Sequence, residues 1–457
     1  MKRALLLLSL LAVPCVLTSC KDDNTSTPNT DTAVPGTPTA TVSTLDKLCR
    51  YWELVWELEG YSEKEIKIFR AGYEGDTTTL NNLKDGFHMD IYCTGAAAAG
   101  NKELVLQCLD KGSKPNHGLE GAALGGQKEL VLLMIEKGAD PDIALYMAAA
   151  GGHMDIVQLM LDKGADDYIG GLLNAAEFGH MDIVQLMLEK GADPDAGLQG
   201  AAKGGHMDIV QLMLDKGATN FNTGLSGAAK GGHMDIVQLM LDKGTDSNAG
   251  LFGAAEGGNM DIVQLMLDKG ATAYNEGLYW AARGGHMNIV QSMLEKGADP
   301  NAGLQGAAAG GHIDIVQSML SKGATNFDNS LWQAAKGGNK DIVNLLLSKG
   351  ADPNGALNGA AAGGHIDIVQ FMLDKGASPN AGLSGAARGG HMDIVQLMLE
   401  NGADTNAGLS NAAAYGHIDI VQFILSKGAT NLDSALNTAQ RNGHTECAEL
   451  IRAAMKK

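Results

Sequence analysis

The chain repeats one short segment, close to G-H-M-D-I-V-Q-L-M-L-D-K-G-A-D, through most of its length. An index histidine marks nine copies, two positions carry asparagine instead, and three weaker copies follow the same spacing. These index residues are His153, His180, His206, His233, Asn259, His286, His312, Asn339, His365, His391 and His417, with Asn101, Gln127 and His444 in the weaker copies. Neighbouring index residues lie 26 or 27 positions apart, a period typical of stacked arrays in which each unit contacts only its neighbours. We therefore expect an elongated solenoid of about fourteen units rather than one central core.

The unit around His206 predicts two short helices. In the first, Leu198, Ala201, Ala202 and Gly205 follow the i, i+3, i+4, i+7 spacing of one helix face. Gly205 is placed to end that helix, because glycine accepts the positive φ of a C-terminal stop. Asp208 lies in the first turn of the second helix, where the macrodipole favours an anion, and Lys216 lies at its other end.

A helix, a tight turn, a second helix and a loop in this order resemble the ankyrin repeat. The likeness is carried by G-H-M-D-I-V-Q-L-M-L-D-K-G-A-D-P-N and extends from about 101 to 455. The first half of each unit departs from the family, since A-G-L-Q-G-A-A stands for the usual T-P-L-H-x-A-A. About seven residues are missing relative to the family's usual length of about 33, and they belong to the projecting β-hairpin finger. The resemblance implies an all-α helical-repeat solenoid with shortened hairpin loops and helical caps.

The N-terminal segment predicts an export signal. Lys2 and Arg3 precede an apolar run, and L-T-S-C ending at Cys20 resembles the lipobox of bacterial lipoproteins. The resemblance implies cleavage before Cys20 and lipidation, palmitate included, of this residue. Lys21-Asp22-Asp23 is similar to a surface-export tag of Bacteroidetes lipoproteins. We expect an outer-membrane lipoprotein, displayed outward or facing the periplasm; an ordinary secretory signal is the alternative.

These features predict five segments. A signal peptide covers 1–19, a disordered tether rich in Thr, Ser and Pro covers 20–43, and a helical N-terminal cap with a decayed repeat covers 44–95. The repeat array covers 96–443, and a capping helix covers 444–457. Four cysteines, Cys49, Cys93, Cys108 and Cys447, leave the disulfide pairing open; Cys49–Cys93 or Cys93–Cys108 would tie the cap together.

No pattern in the chain predicts catalysis. Packed helices lie about 8–10 Å apart, so equivalent histidines of neighbouring units are too distant to share a zinc ion. We expect them to tie the turns by hydrogen bonds. No nucleophile elbow or phosphate loop is present, and a net charge of -19 opposes nucleic-acid binding. We therefore expect no enzyme activity, no cofactor, no metal and no nucleic-acid partner.

Comparison between units predicts where a partner binds, because positions that vary are not needed for stacking. On the first helix these are the residue after Leu and the residue after Ala-Ala, which are four apart and share a face. The second of these positions is mostly basic, and large aromatic residues gather at the first. The predicted partner-binding residues are Phe252, Tyr279, Trp280, Arg283, Trp332 and Lys336.

The function predicted is a monomeric, non-enzymatic scaffold that binds an unknown protein or peptide at the cell envelope, with the membrane reached through its lipid alone. Aromatic residues flanked by cations are typical of binding hot spots. Two alternatives stay open: an envelope spacer without a dedicated ligand, and a binder of acidic surface polysaccharide. For the aromatic residues, simple packing in the space of the missing fingers is the alternative.

Overall fold

The computed structural model describes residues 63–83 and 86–456. This part of the chain forms thirty helices and contains no strand, which confirms the all-α repeat solenoid. None of these helices is both long enough and apolar enough to cross a bilayer. The predicted signal peptide and tether, the start of the N-terminal cap, Cys20 and Cys49 lie outside the described residues.

Fourteen units, numbered 1 to 14 in chain order, each consist of an inner helix followed by an outer helix. The inner helices are Gly86–Ala98, Pro115–Leu124, Pro141–Gly151, Tyr168–Phe178, Pro194–Gly204, Phe221–Gly231, Ser247–Gly257, Tyr274–Arg283, Pro300–Gly310, Phe327–Lys336, Pro353–Gly363, Pro379–Gly389, Asn406–Tyr415 and Leu432–Asn442. The outer helices are Lys102–Asp110, Lys128–Glu136, Met154–Asp162, Met181–Glu189, Met207–Asp215, Met234–Asp242, Met260–Asp268, Met287–Glu295, Ile313–Ser321, Lys340–Ser348, Ile366–Asp374, Met392–Glu400, Ile418–Ser426 and Thr445–Ala454. Two further helices, Glu63–Glu74 and Thr77–Asn82, precede unit 1 and pack on it.

Unit 5 shows why the helices begin and end where they do. The Asp193 side chain accepts the N–H of Asp195, and Pro194 occupies the first turn, where a missing N–H costs nothing. Gly205 ends the inner helix at φ 79°, a left-handed conformation that glycine adopts without strain. The outer helix begins after His206, as expected, and Lys216 follows its last turn.

The core is a thin layer between successive units. In unit 5 the buried side chains are Leu198, Ala201 and Ala202 from the inner helix and Ile209, Val210 and Met213 from the outer helix. Four inner helices begin with an aromatic residue that is half-buried and packs on the same layer: Tyr168, Phe221, Tyr274 and Phe327. These rings therefore cover apolar surface beside the shortened loops.

Small residues bring the inner helices together. A Cβ built on Gly200 would overlap the carbonyl oxygen of Leu173 in unit 4, and one on Gly227 would lie 2.8 Å from the Gln199 oxygen. The outer helices are separated by the bulk of Ile, Val, Leu and Met, and they pack less closely on one another than the inner helices do. This difference in spacing curves the stack, with the inner helices on the concave side.

The curvature brings distant units into contact, so the solenoid is a superhelix and not a straight rod. Lys114, at the start of the unit 2 inner helix, donates its Nζ to the carbonyl oxygen of Gly390 in unit 12, at 3.5 Å. Gly390 is buried. Ten units thus complete about one superhelical turn, in which loops of the first units meet turns of the last.

Three of the cysteines lie within the described residues. Cys93, Cys108 and Cys447 are buried free thiols, so the Cys93–Cys108 disulfide, one of the expected pairings, is not formed. A hydrogen bond with the Cys108 thiol, together with burial, raises the pKa of Cys93 well above its usual value. The Cys93 thiol is therefore held in the protonated form.

Candidate partner-binding face

Two columns of variable side chains run along the inner helices. The first column is the residue after the buried Leu, and the second is the residue after Ala-Ala, four positions later. From unit 5 onward the pairs are Gln199/Lys203, Ser226/Lys230, Phe252/Glu256, Tyr279/Arg283, Gln305/Ala309, Trp332/Lys336, Asn358/Ala362, Ser384/Arg388, Ser410/Ala414 and Asn437/Arg441. We call this surface the inner face.

In units 4 to 7 the cations of the second column are neutralised within the stack. Lys203 pairs with Glu177 of unit 4 at 2.6 Å, and Lys230 pairs with Glu256 of unit 7 at 3.3 Å. Lys230 and Glu256 are only 5% and 3% exposed. In these units the closely spaced inner helices therefore bury or pair the cations of the second column, and Lys203 and Lys230 are not part of an open basic surface.

Burial governs the ionisation of the Lys230–Glu256 pair. It lowers the pKa of Lys230 to about 7, although the Glu256 carboxylate acts in the opposite direction. It also raises the pKa of Glu256. Lys230 Nζ and Glu256 Oε1 have no hydrogen-bond partner among the described residues. Lys230 and Glu256 are thus an ion pair from which water is largely excluded. This desolvation shifts the ionisation of both side chains toward the neutral forms.

The inner face opens from unit 8. Tyr279 and Trp280 are half-buried and meet edge to face, with 5.0 Å between ring centroids. The guanidinium of Arg283 lies 5.4 Å from the Trp280 ring centroid. Three of the predicted binding residues therefore form one cluster in a single helix.

A second cluster surrounds Trp332 in unit 10. The Lys336 ammonium and the Arg388 guanidinium lie 5.6 Å and 5.4 Å from its ring centroid. Asn358 of unit 11 joins them: its Oδ1 accepts the indole Nε1–H at 3.0 Å and Arg388 Nη2–H at 2.6 Å. Asn358 Nδ2 donates to the carbonyl oxygen of Ala381 in unit 12. One network thus links three consecutive units.

The two clusters differ from the sequence-based set in two ways. Phe252 is half-buried on the same face, but it makes no ring–ring or cation–π contact within the described part of the chain. Asn358 and Arg388 were missing from the set of predicted binding residues. Their signal was available in the sequence, because they occupy the two columns one and two units after Trp332.

The index histidines join the units on the other side of the inner helices. His206 Nε2–H donates to the carbonyl oxygen of Glu177 at 3.1 Å, and His312 donates to Arg283 at 2.9 Å. Asn259 replaces this bond with amide donors to Ala229 and Lys230. The predicted role of these residues in tying the turns is confirmed. Among the described residues no group of three His, Cys, Asp or Glu is placed to hold a metal.

Comparison with known families decides the identity of the array. The family model described as "Ankyrin repeats (3 copies)" matches residues 119–197, 172–250, 225–303, 304–382 and 383–456. These matches are continuous from 119 to 456, well over half of the chain. The chain belongs to the ankyrin repeat family. No curated protein matches it in sequence.

This ankyrin array joins its units without hairpin fingers. In place of a hairpin, an Asp or Asn in the first turn of most inner helices accepts loop N–H groups of the next unit. The Asn248 side chain accepts the N–H groups of Thr272 and Ala273, both at 2.9 Å. Asp195 and Asn301 do the same one two-unit block before and after it. These bonds satisfy the loop backbone that a finger would otherwise pair.

Ankyrin repeats generally mediate protein–protein binding and generally act as non-enzymatic scaffolds. In this array the loops between units are short, so no hairpin finger projects from the stack to contact a partner. The side chains that vary between units and remain accessible lie on the inner face, from Tyr279 to Arg441.

Proposed function

We propose that this protein is a non-enzymatic scaffold that captures a protein or peptide through the inner face of units 8 to 14. The observation that carries the proposal is the contrast between units. Leu, Ala-Ala and Ile-Val positions hardly change and are buried, whereas the inner face changes from unit to unit and stays accessible beyond unit 7. A surface that stacking does not require, and that gathers aromatic and cationic groups, suits recognition.

The proposed location is the bacterial cell envelope, with the chain anchored by lipid on Cys20. The support is the lipobox-like L-T-S-C, the basic residues before the apolar run, and the Thr/Ser/Pro-rich segment that would hold the array away from the membrane. Labelling cells with an alkyne-bearing fatty acid tests it. We expect label on the chain and none on the Cys20→Ala variant; equal labelling of both would contradict the anchor.

The binding proposal is tested by affinity capture from an envelope extract. We expect the full chain to recover a specific protein saturably, and the Tyr279→Ala/Trp332→Ala variant to lose most of it. Met234→Ala is the matched control, since Met234 is an apolar residue 43% exposed on the turn edge. An array that recovers no saturable partner would favour the spacer. Equal recovery by both variants would place binding elsewhere.

A further inference from the structure

We propose that the inner face between Arg283 and Arg388 recognises an acidic, extended segment of the partner protein, with carboxylates paired to these two guanidinium groups. This inference rests on the proposed function and specifies the chemistry of its partner. It depends on the charge of the face, on how its arginines are held and on the shape of the concave interior.

The charge of the face is opposite to that of the molecule. The chain carries a net charge of -19. Of the fourteen column positions in units 8 to 14, none is acidic and four are basic: Arg283, Lys336, Arg388 and Arg441. The cations of units 5 and 6, Lys203 and Lys230, are already paired with Glu177 and Glu256. Positive potential is thus concentrated where the face opens, which attracts an acidic partner.

The two arginines are oriented before any partner arrives. Arg283 lies over Trp280, and Arg388 lies over Trp332 with one Nη2–H donated to Asn358. A guanidinium has five N–H donors, so both retain donors for a carboxylate, which they bind in bidentate geometry. Because stacking already restricts these long side chains, less conformational entropy is lost on binding. The tryptophans therefore act here as platforms for cations.

The interior dimensions favour a narrow occupant. Ten inner helices about 8 Å apart make a turn roughly 25 Å across between opposite axes, which leaves an opening of about 15 Å between side chains. That opening admits an extended segment but not a folded domain. Arg283 and Arg388 are four of these ten units apart, which is roughly 19 Å along the wall of the opening, a length covered by about six extended residues.

The residues between the arginines favour a peptide over an anionic polysaccharide. Gln305 and Ser384 offer amide and hydroxyl groups that can pair with a peptide backbone, and alternate units carry Ala309 and Ala362 instead of cations. Polyanion affinity grows with the number of charges neutralised by neighbouring cations. Cations on every second unit neutralise few of the closely spaced charges of a polyanion, but they can each bind one of several separate carboxylates on a peptide segment.

The experiment uses the full chain and fluorescein-labelled peptides at 0.15 M salt, followed by fluorescence anisotropy. The probe has two pairs of Glu separated by about six Ser and Gly residues, the length that spans the two arginines. In the matched peptides, Gln replaces Glu or the two Glu pairs are adjacent. We expect the spaced Glu peptide to bind at least tenfold more tightly than the Gln peptide and more tightly than the adjacent one. Arg283→Gln/Arg388→Gln should weaken it at least tenfold, and Lys216→Gln/Lys322→Gln on exposed loops should leave it unchanged.

Thermal melts establish that each variant is folded. If the double Gln variant unfolds, Arg283→Lys/Arg388→Lys replaces it; these keep the charges but lose the planar fork, and binding should fall at least threefold. Equal binding of Glu and Gln peptides, or unchanged binding by the arginine variants, would overturn the inference. So would dextran sulfate binding without peptide binding, which would assign the face to polysaccharide. A partner captured equally by wild type and by Arg283→Gln/Arg388→Gln would reject the acidic segment but leave the proposed function standing; no capture by wild type would reject both.

Discussion

At the residue scale, the index histidines link stacking to pH. Burial lowers the pKa of His286, His312 and His417, and it lowers that of His391 to about 4. A neutral ring still has its Nε2–H to donate to the preceding unit. In the unfolded chain each histidine returns to a pKa near 6.5, so the unfolded state binds more protons below that pH. The stabilisation from neutral histidines is complete above pH 6.5 and is lost as pH falls toward 4.

We expect His391→Asn to reduce this acid sensitivity. Asparagine keeps an N–H donor, as Asn259 shows, but it does not titrate. The charges of Asp393, Lys114 and His365 also affect the pKa of His391, and Asp393 opposes its decrease. The stability that His391 contributes at pH 7 and loses by pH 4 is therefore up to about 3 kcal/mol. Urea unfolding at pH 7 and pH 4.5 measures the difference. A variant whose stability falls with pH as steeply as wild type would contradict this role.

The Lys230–Glu256 pair gives a second prediction at the same scale. Both pKa shifts show that burial penalises the charged forms, so the pair itself opposes folding. Lys230→Met leaves the Glu256 carboxylate buried without a cation and should destabilise the array by about 3–5 kcal/mol at pH 7. Lys230→Met/Glu256→Met should be neutral or stabilising. A double-mutant cycle by urea unfolding decides; a double variant as unstable as the single one would show that the charges are needed.

At the element scale, the glycines of the inner helices set the helix spacing. Glycine in a helix interior normally costs about 1 kcal/mol relative to alanine. Gly200→Ala should nevertheless destabilise, by about 1–3 kcal/mol, because its Cβ would overlap the Leu173 carbonyl oxygen. Gly355→Ala is the control: its Cβ would lie 3.9 Å from the nearest atom, so it should stabilise by about 0.5–1 kcal/mol. Equal effects of both in urea unfolding would mean that helix contact does not depend on these glycines.

Much of the element scale could be predicted from the sequence, because the same residues recur in every unit. The i, i+3, i+4 spacing of Leu198, Ala201 and Ala202 and the stop at Gly205 give both the helix and its boundary. The charge state of the inner face could not be predicted. Lys203 and Arg283 occupy equivalent positions, but Lys203 meets Glu177 in the folded stack whereas Arg283 lies over Trp280. Such pairing depends on distances between units, which a single unit's sequence does not contain.

At the scale of the whole molecule, curvature follows from a small difference repeated fourteen times. The small residues that allow the inner helices to pack closely can be read from the sequence. The radius of the superhelix, however, depends on how far the bulk of Ile, Val and Met holds the outer helices apart. The Lys114–Gly390 contact shows the sum of these steps. It also turns the inner face into the wall of a confined interior.

We expect this curvature to be measurable in solution. Spin labels at exposed Glu129 and Asp393, which occupy equivalent positions of units 2 and 12, report the distance between these units by double electron–electron resonance, with other accessible cysteines replaced by serine. Units 8–10 Å apart in a straight stack would place them roughly 80–100 Å apart. The curved array predicts less than half of that distance. Deleting 274–326, one two-unit block, should lengthen it, because eight units no longer complete the turn. A long distance in the intact chain would refute the closed turn and, with it, the confined interior that favours an extended ligand.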